Sequence, residues 1–229
     1  VKLGGAVADI RGSIGGTTFS RNRYGAVARN RTVPVDPGST AQTKIRACIG
    51  ALRNQWNDVL TAAQRAAWAV YADNVSMTNR LGETVNLTGW NMFARTNTSL
   101  LYNDFDVVAD APTDYSLAQQ DATLTITASE ATQQVTVAFD DTMDWCYETG
   151  AHLMVYVSRP QNITKNFFKG PYTIADTVDG DDSTAPTSPV TMAAPHAFVS
   201  GQKLFAMCRI VRADGRMSEP FRVDCTAGA

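Results

Sequence analysis

The chain has 229 residues, of which 44% are hydrophobic and 18% charged, and its net charge is −2. This composition excludes a disordered chain, and the length suffices for one large domain or two modest ones, each with its own core. No apolar run approaches the roughly 18 residues of a membrane helix, and the start, VKLGGAVADIRG, lacks the basic end and apolar core of a secretory signal. We therefore expect a protein that is made in a cytosol, stays there until assembly and makes no membrane contact.

Charge is distributed unevenly along the chain. Residues up to Asn103 contain 12 lysines and arginines against 5 acids, a balance of +7, and residues from Asp104 onward contain 8 against 17, a balance of −9. Such a dipole suggests two parts with different neighbours. The first part would face something acidic, and the second would face solvent or a basic surface.

Residues 1–36 form a glycine-punctuated segment. Within it, TTFS and YGAVA have the β-branched and aromatic character of short strands separated by turns. Pro34 and Pro37 forbid a helix at the end of the segment and favour extended backbone. We predict an extended basic arm.

A helical period begins after the arm, where Ser39 or Thr40 can cap a helix that ends near Leu60. The helical spacing predicts one apolar stripe consisting of Ile45, Ile49, Leu52 and Trp56. Thr61 and Gln64 then form a capping box, which starts a second helix antiparallel to the first. The side chains of the second helix predicted to point inward are Ala67, Trp68, Val70 and Tyr71.

The segment VSMTNRLGETVNL alternates around a turn at residues 81–83, which predicts a β-hairpin. Thr88 then caps a third helix. Its predicted inward side chains are Trp90, Phe93, Asn97 and either Leu100 or Leu101. The simplest interpretation of the three tryptophans in this region is a helical core, and an exposed docking face is the alternative.

The sequence pattern of the remainder of the chain predicts a series of β-strands. An acidic segment without a clear period comes first, and it is either a linker or the edge of the next domain. The predicted strands are ATLTITAS, QQVTVAFDD, AHLMVYVSR, PYTIAD, SPVTMAA, KLFAMCRIV and FRVDC. Their length and turn residues are typical of an antiparallel β-sandwich. We therefore predict an α+β chain with an arm at 1–36, a helical domain at 37–103, a linker at 104–119 and a sandwich at 120–229.

Two resemblances accompany these patterns. The motifs GGTTFSRNRYGAVARNRTVPVDPGSTAQTKIR, LRNQWNDVLTAAQRAAWAVYA and NRLGETVNLTGWNMFARTN, in that order, resemble an uncharacterised family found in tailed-phage and prophage genomes. The segment DPGST departs from the family pattern, which has Asn-Pro at this place. The resemblance implies a virion structural protein, and it implies no catalytic residues.

The C-terminal half resembles a fibronectin type III or related immunoglobulin-like module. The resemblance rests on VTVAFDD and Trp145, followed by KLFAMCRIVRADGRMSEPFRV. In it, KLFAMCRIV is the penultimate strand and FRVDC is the last. Trp145 lies outside the usual core-tryptophan position, which is on the following strand.

The chain contains few groups suited to catalysis. We find no G-x-S-x-G, HExxH or phosphate-binding G-x-x-x-x-G-K motif, and we predict a non-enzymatic protein without cofactor. The wide spacing of Cys48, Cys146, Cys208 and Cys225 excludes the usual zinc frameworks and predicts free thiols, with a Cys208–Cys225 bridge as the alternative. His152, on a predicted strand, is interpreted as structural.

Acidic clusters at residues 140–144 and 179–182 could bind calcium, but their spacing favours solvated turns. No metal site is therefore predicted.

The candidate site is the arginine-rich stretch TTFSRNRYGAVARNRTVPV, which holds four arginines and no acid. The residues predicted to bind a partner are Phe19, Arg21, Arg23, Tyr24, Arg29 and Arg31. The arginines would pair with carboxylates of a neighbouring subunit while the aromatic rings fill pockets or the segment adds a strand. Binding to nucleic acid phosphates is the first alternative, and a merely solvated basic edge is the second.

Together these features predict a capsid decoration or minor capsid protein. Its partners would be the major capsid protein or other virion subunits, with further copies of itself on the particle. A head-tail connector or tail component is the alternative within this class. From another class, a surface- or carbohydrate-binding module would use the loop QNITKNFF at 161–168.

Overall fold

The computed structural model describes residues 9–23, 25–33, 35–79 and 81–229. The chain contains both helices and antiparallel sheets, which confirms the α+β class. It divides into two compact units, Val1–Thr43 and Lys44–Ala229. The predicted boundaries at 36, 103 and 119 remain predictions.

The first unit contains a three-stranded antiparallel sheet, referred to below as the arginine sheet. Its strands are β1 (Gly12–Ile14), β2 (Thr17–Asn22) and β3 (Gly25–Asn30), in the order β1-β2-β3. The turn between β1 and β2 uses Gly15 at φ +56°, a conformation that favours glycine. The strands predicted in TTFS and YGAVA are therefore present as β2 and, from Gly25 onward, β3, and they pair with each other. Tyr24 and Pro34 lie outside the described residues.

Three helices follow the arginine sheet in the chain. Helix α1 (Thr40–Asn54) continues into a π-helical turn (Gln55–Val59), and α2 is Ala62–Asn74. A hairpin of β4 (Ser76–Thr78) and β5 (Thr84–Asn86) precedes α3 (Gly89–Tyr102).

The predicted helix starts are confirmed by their caps. The Thr61 side chain accepts a hydrogen bond from the Gln64 amide, and the Gln64 side chain accepts one from the Thr61 amide, which completes the capping box of α2. The Thr88 hydroxyl caps α3 by accepting from the amide of Asn91. Ser39 accepts weakly from Gln42 at the start of α1, at 3.4 Å.

The helices pack around Trp68, which is fully buried beside Tyr71 and Phe93. Trp56 and Trp90 are only partly buried against this cluster. The prediction of a common inward stripe on α1 was wrong in part, because Cys48 and Leu52 are buried whereas the residues exposed to solvent are Ile45 and Ile49. On α2, likewise, the predicted inward residues Ala67 and Val70 are exposed. In both helices the buried residues lie next to the exposed ones on the helix surface. Tertiary contacts therefore decided which side of the predicted stripe faces the core.

All seven predicted C-terminal strands are present. They are β6 (Thr125–Ser129), β7 (Gln134–Ala138), β8 (His152–Ser158), β9 (Tyr172–Asp179), β10 (Val190–Ala193), β11 (Lys203–Val211) and β12 (Phe221–Thr226). They form two antiparallel sheets with the orders β10-β7-β6 and β12-β11-β8-β9. A 3-10 helix (Asp144–Tyr147) lies between β7 and β8.

Side-chain alternation builds one apolar cluster from both C-terminal sheets. Val135 and Val137 of β7, Leu153 and Val155 of β8, and Leu204 of β11 are all buried in it. The side chains of Met154 and Val211 instead pack with Leu100 of α3 in a second cluster. Alternating residues of β8 therefore contact different clusters, one on each face of the sheet.

The segment 104–119 packs closely within the second unit. The Asn97 side chain of α3 makes two hydrogen bonds to the backbone of Val108. It accepts from the amide at 2.8 Å and donates to the carbonyl at 3.1 Å. Trp68 Nε1 donates to the carbonyl of Ala109 at 2.9 Å, and the Tyr71 hydroxyl donates to that of Ser116 at 3.2 Å. These bonds hold the segment against α2 and α3.

Helices in the described part of the chain are all too short or too polar to cross a membrane.

Candidate functional site

The arginine sheet holds the predicted partner-binding residues. Phe19 and Arg21 lie on β2, Arg29 lies on β3, and Arg23 lies in the turn between these strands. Arg31 follows β3, and its amide donates to the carbonyl of Gly16 at 2.7 Å. Five of the six predicted residues are thus brought into one small sheet, and Tyr24 lies outside the described residues.

The strand register divides the side chains between the two faces of the arginine sheet. Phe19 pairs with Ala28 and Arg21 pairs with Ala26, so Phe19 and Arg21 share one face. Arg29 pairs with Thr18 and therefore lies on the opposite face. The arginines consequently point to both sides, and a ligand bound to one face would reach only some of them.

The guanidinium groups of the arginine sheet are exposed and uncompensated. Arg21, Arg23, Arg29 and Arg31 are all exposed, and within the described residues none of them makes an ion pair. The Phe19 ring is only half-buried. None of the described residues of the arginine sheet is buried. Charged residues on both faces give the sheet little to stabilise it by itself, because isolated small sheets are marginal in water.

The cysteines form no disulfide, and burial makes three of them poorly reactive. All four thiols are free, and Cys208 pairs across the strands with Phe221 rather than with Cys225. Burial raises the pKa of Cys208 to about 12 and the pKa values of Cys146 and Cys225 to about 11. Thiols of this kind remain protonated and are poor nucleophiles at neutral pH.

His152 is held by its neighbours rather than directed at a cavity. Its Nδ1 lies 2.8 Å from Asp179 Oδ1, and its ring stacks on Phe105 with centroids 3.8 Å apart. Both contacts lie at the start of β8. They fit the predicted structural role.

The acidic clusters hydrogen-bond their own turns. Asp140 accepts from the hydroxyl and amide of Thr142, and Asp181 accepts from the amides of Ser183 and Thr184. These hydrogen bonds hold the pKa of both carboxyls below the ordinary range. Across the described ranges, no group of three or more acidic, histidine or cysteine side chains is arranged to hold a metal ion.

The loop at 161–168 separates its two phenylalanines. Phe168 is buried against Phe205 and Tyr172, whereas the Phe167 side chain is 66% exposed. One exposed ring therefore remains for any surface contact by this loop.

Sequence reasoning missed an open groove in the second unit. It is lined by residues of α1, α3, β8 and β11, among them Ile49, Trp90, Tyr156, Met207 and Arg209. These residues are distant in the sequence and carry no common motif. The one available signal was the apolar stripe through Ile49, which we assigned to the core.

Comparisons with known proteins identify no family for this chain. No protein-family model matches it, and no curated protein sequence matches it significantly. Among solved structures, a family 76 glycoside hydrolase from a bovine Bacteroides thetaiotaomicron strain is 14% identical, with 48% of this chain and 20% of that chain covered at a TM-score of 0.34. The adhesin domain of Epf from Streptococcus pyogenes is 11% identical, with 48% and 34% covered at a TM-score of 0.30. The match thus spans a fifth and about a third of those chains, and similarity this low carries no argument about function.

Proposed function

We propose that this chain is a non-enzymatic structural protein of a phage particle, anchored by its arginine sheet. The observation that carries the proposal is a small sheet with four exposed arginines that, among the described residues, have no ion-pair partner and no buried apolar cluster beneath them. Such a sheet gains stability when a partner supplies carboxylates and buries the half-exposed Phe19. The resemblance of the motifs to a family found in phage genomes suggests the class of the partner, which is another protein of the particle.

The partner we propose is the major capsid protein or another virion subunit rather than nucleic acid. Arg21 and Arg29 lie on opposite faces of the sheet, so one nucleic acid strand along either face would leave part of the charge unused. A sheet inserted between protein surfaces uses both faces. Strand β3 pairs only with β2 among the described strands, so its other edge can accept an added strand.

The C-terminal strands would form the projecting part, an immunoglobulin-like sandwich. In chain order, the first, second and fifth of these strands form one sheet, and the third, fourth, sixth and seventh form the other. Both sheets contribute to one apolar cluster. This division of seven antiparallel strands supports a relationship to fibronectin type III and related modules.

Within this class we favour a decoration or minor capsid protein present in many copies. A head-tail connector or tail component would be present in a few copies at one vertex. A count of copies per particle separates the two roles. From another class, the exposed Phe167 ring favours a surface- or carbohydrate-binding role for the C-terminal part, because aromatic faces stack on sugars.

The test is binding of the purified chain to emptied phage heads and, separately, to duplex and single-stranded DNA across a salt series. We expect saturable binding to heads that is lost when Arg21, Arg23, Arg29 and Arg31 are replaced by alanine. The matched control replaces the same number of exposed cations in the second unit, namely Arg53, Arg159, Lys165 and Lys169. The control variant should bind heads like the wild type.

A second variant lacks residues 1–36, and we expect it to remain folded and to lose incorporation into particles. Incorporation that survives this deletion would remove the arginine sheet from the proposal. DNA binding with a steep salt dependence and no affinity for heads would instead assign the arginines to the genome.

A further inference from the structure

An apolar groove opens on the second unit between α3 and the outward-facing side chains of β8 and β11. It encloses about 520 Å³, within the roughly 300–1,000 Å³ typical of ligand sites. Ile49, Trp90 and Met207 form its apolar wall. The Ile49 side chain is 46% exposed, which is unusual for a residue on the helix stripe predicted to be buried. The groove therefore offers apolar surface to an occupant.

Two arginines at this groove make no ion pair among the described residues, although the charge of Glu219 acts on both of them. Arg95 donates from Nη1 and Nη2 to the carbonyls of Met217 and Ser218, at 2.9 and 2.7 Å. Arg209 Nη1 contacts only the Met217 sulfur, at 3.3 Å. Two nearby arginines do make ion pairs, Arg212 with Glu148 and Arg216 with Asp214. No ion pair within the described residues neutralises Arg95 or Arg209.

Partial burial makes this charge unfavourable, and the attraction of Glu219 offsets the cost only in part. Burial, with the charge of Arg209 adding to it, lowers the pKa of Arg95 to about 10. Burial also lowers the pKa of Arg209. A carboxylate placed at the groove would be attracted by both guanidinium groups in a partly desolvated setting. The groove therefore selects an occupant that combines an anionic group with an apolar one.

The chain itself presents such a pair on the 3-10 helix Asp144–Tyr147. Residues i and i+3 of a 3-10 helix lie on one side, so Asp144 and Tyr147 project together. The Asp144 side chain is 88% exposed and makes one long ion pair, at 3.9 Å to Arg212 Nη1, and Tyr147 is 56% exposed. The two residues between them, Trp145 and Cys146, are buried and fix the helix in place. We refer to Asp144 and Tyr147 as the acidic knob.

We propose that copies of this chain associate head to tail, with the acidic knob of one copy in the groove of the next. The Tyr147 ring of one copy would lie against Ile49 and Trp90 of the other, and Asp144 would meet Arg209. Groove and knob are different surfaces, so the contact is heterologous and generates a ring or an open chain. The contact involves only the second unit and does not depend on what the arginine sheet binds.

Sedimentation velocity of the full chain over a range of concentrations tests the proposal. We expect concentration-dependent association that Arg209→Glu and Asp144→Arg each weaken by about tenfold or more. Mixing the two variants should restore association, because one junction then has the wild-type pair and the next has the reversed pair. The charge-matched controls Arg159→Glu and Asp73→Arg, at exposed positions outside the groove and knob, should associate like the wild type.

Two further variants keep the test decisive if a charge reversal disturbs folding. Ile49→Asp and Tyr147→Ala change exposed side chains and should weaken association, with circular dichroism unchanged. The alanine variant of Arg21, Arg23, Arg29 and Arg31 should still associate, which separates this contact from the particle anchor.

A chain that is monomeric at every concentration would overturn the proposal. Association that Arg209→Glu and Tyr147→Ala leave unchanged, or that mixing fails to restore, would also overturn it. A monomer that binds an acidic peptide or an oligonucleotide through Arg209 would assign the groove to a foreign partner instead.

Discussion

The arginine sheet and the four-stranded C-terminal sheet use the same backbone pairing but differ in what lies on their faces. In β8 and β11, alternate side chains such as Leu153 and Leu204 are buried in a shared cluster. In β2 and β3, Arg21 and Arg29 project from opposite faces and are exposed. Turns and strand propensity are therefore enough to specify a sheet, whereas apolar burial is needed to make it stable on its own.

The largest expected difference between the sheets comes from removing one apolar side chain from each. Leu204→Ala should lower the free energy of unfolding of the second unit by about 3 kcal/mol, because Leu204 is 1% exposed and leaves a cavity. Phe19→Ala should change the stability of the arginine sheet by less than about 0.5 kcal/mol, since the Phe19 side chain is only half-buried. Urea unfolding followed by tryptophan fluorescence measures the first value, because all four tryptophans lie in the second unit, and amide hydrogen exchange of β2 and β3 measures the second. Equal losses would contradict the contrast between the sheets.

A pair of glycine substitutions sharpens the same contrast. A Cβ at Gly180 would lie 2.1 Å from the carbonyl oxygen of Trp145 and 2.8 Å from that of Glu148, whereas a Cβ at Gly16 would meet no atom within 4 Å. Gly180→Ala should therefore destabilise the second unit by about 2 kcal/mol. Gly16→Ala should be nearly neutral. Thermal unfolding of the two variants measures the difference. If Gly180→Ala left the stability unchanged, the backbone around Gly180 would have moved to accommodate the added Cβ.

The smallest expected difference is a pH dependence that arises from the cysteines, all of which lie in the second unit. Burial raises the pKa of Cys208 from 9.0 to about 12, so the unfolded chain loses this proton first as pH rises. The stabilisation is complete below pH 9 and is lost as pH rises toward 12, by about 1 kcal/mol at about pH 10.

Urea unfolding at a series of pH values from neutral to alkaline measures this decline. Cys208→Ala should have a shallower decline above about pH 9 than the wild type. A decline of the same slope in both proteins would mean that other groups are responsible.

Local sequence signals predicted much of the fold. The caps at Thr61 and Thr88, the hairpin of β4 and β5 and the seven C-terminal strands were all located from short motifs. The candidate partner-binding residues were also found from sequence, because four arginines without an acid form a local pattern. The groove was not found, since its lining comes from helices and strands far apart in the chain.

The sequence by itself determined which segments form strands and helices, where α2 and α3 begin, and where the exposed arginines lie. It did so because caps, turns and alternation act between residues a few positions apart. Only the tertiary structure decided that Cys48 and Leu52, rather than Ile45 and Ile49, line the core side of α1. It also decided that Arg21 and Arg29 lie on opposite faces of one sheet and that Arg95 and Arg209 share a groove. These outcomes depend on strand register and on which surfaces meet, and neither is encoded in a short stretch of chain.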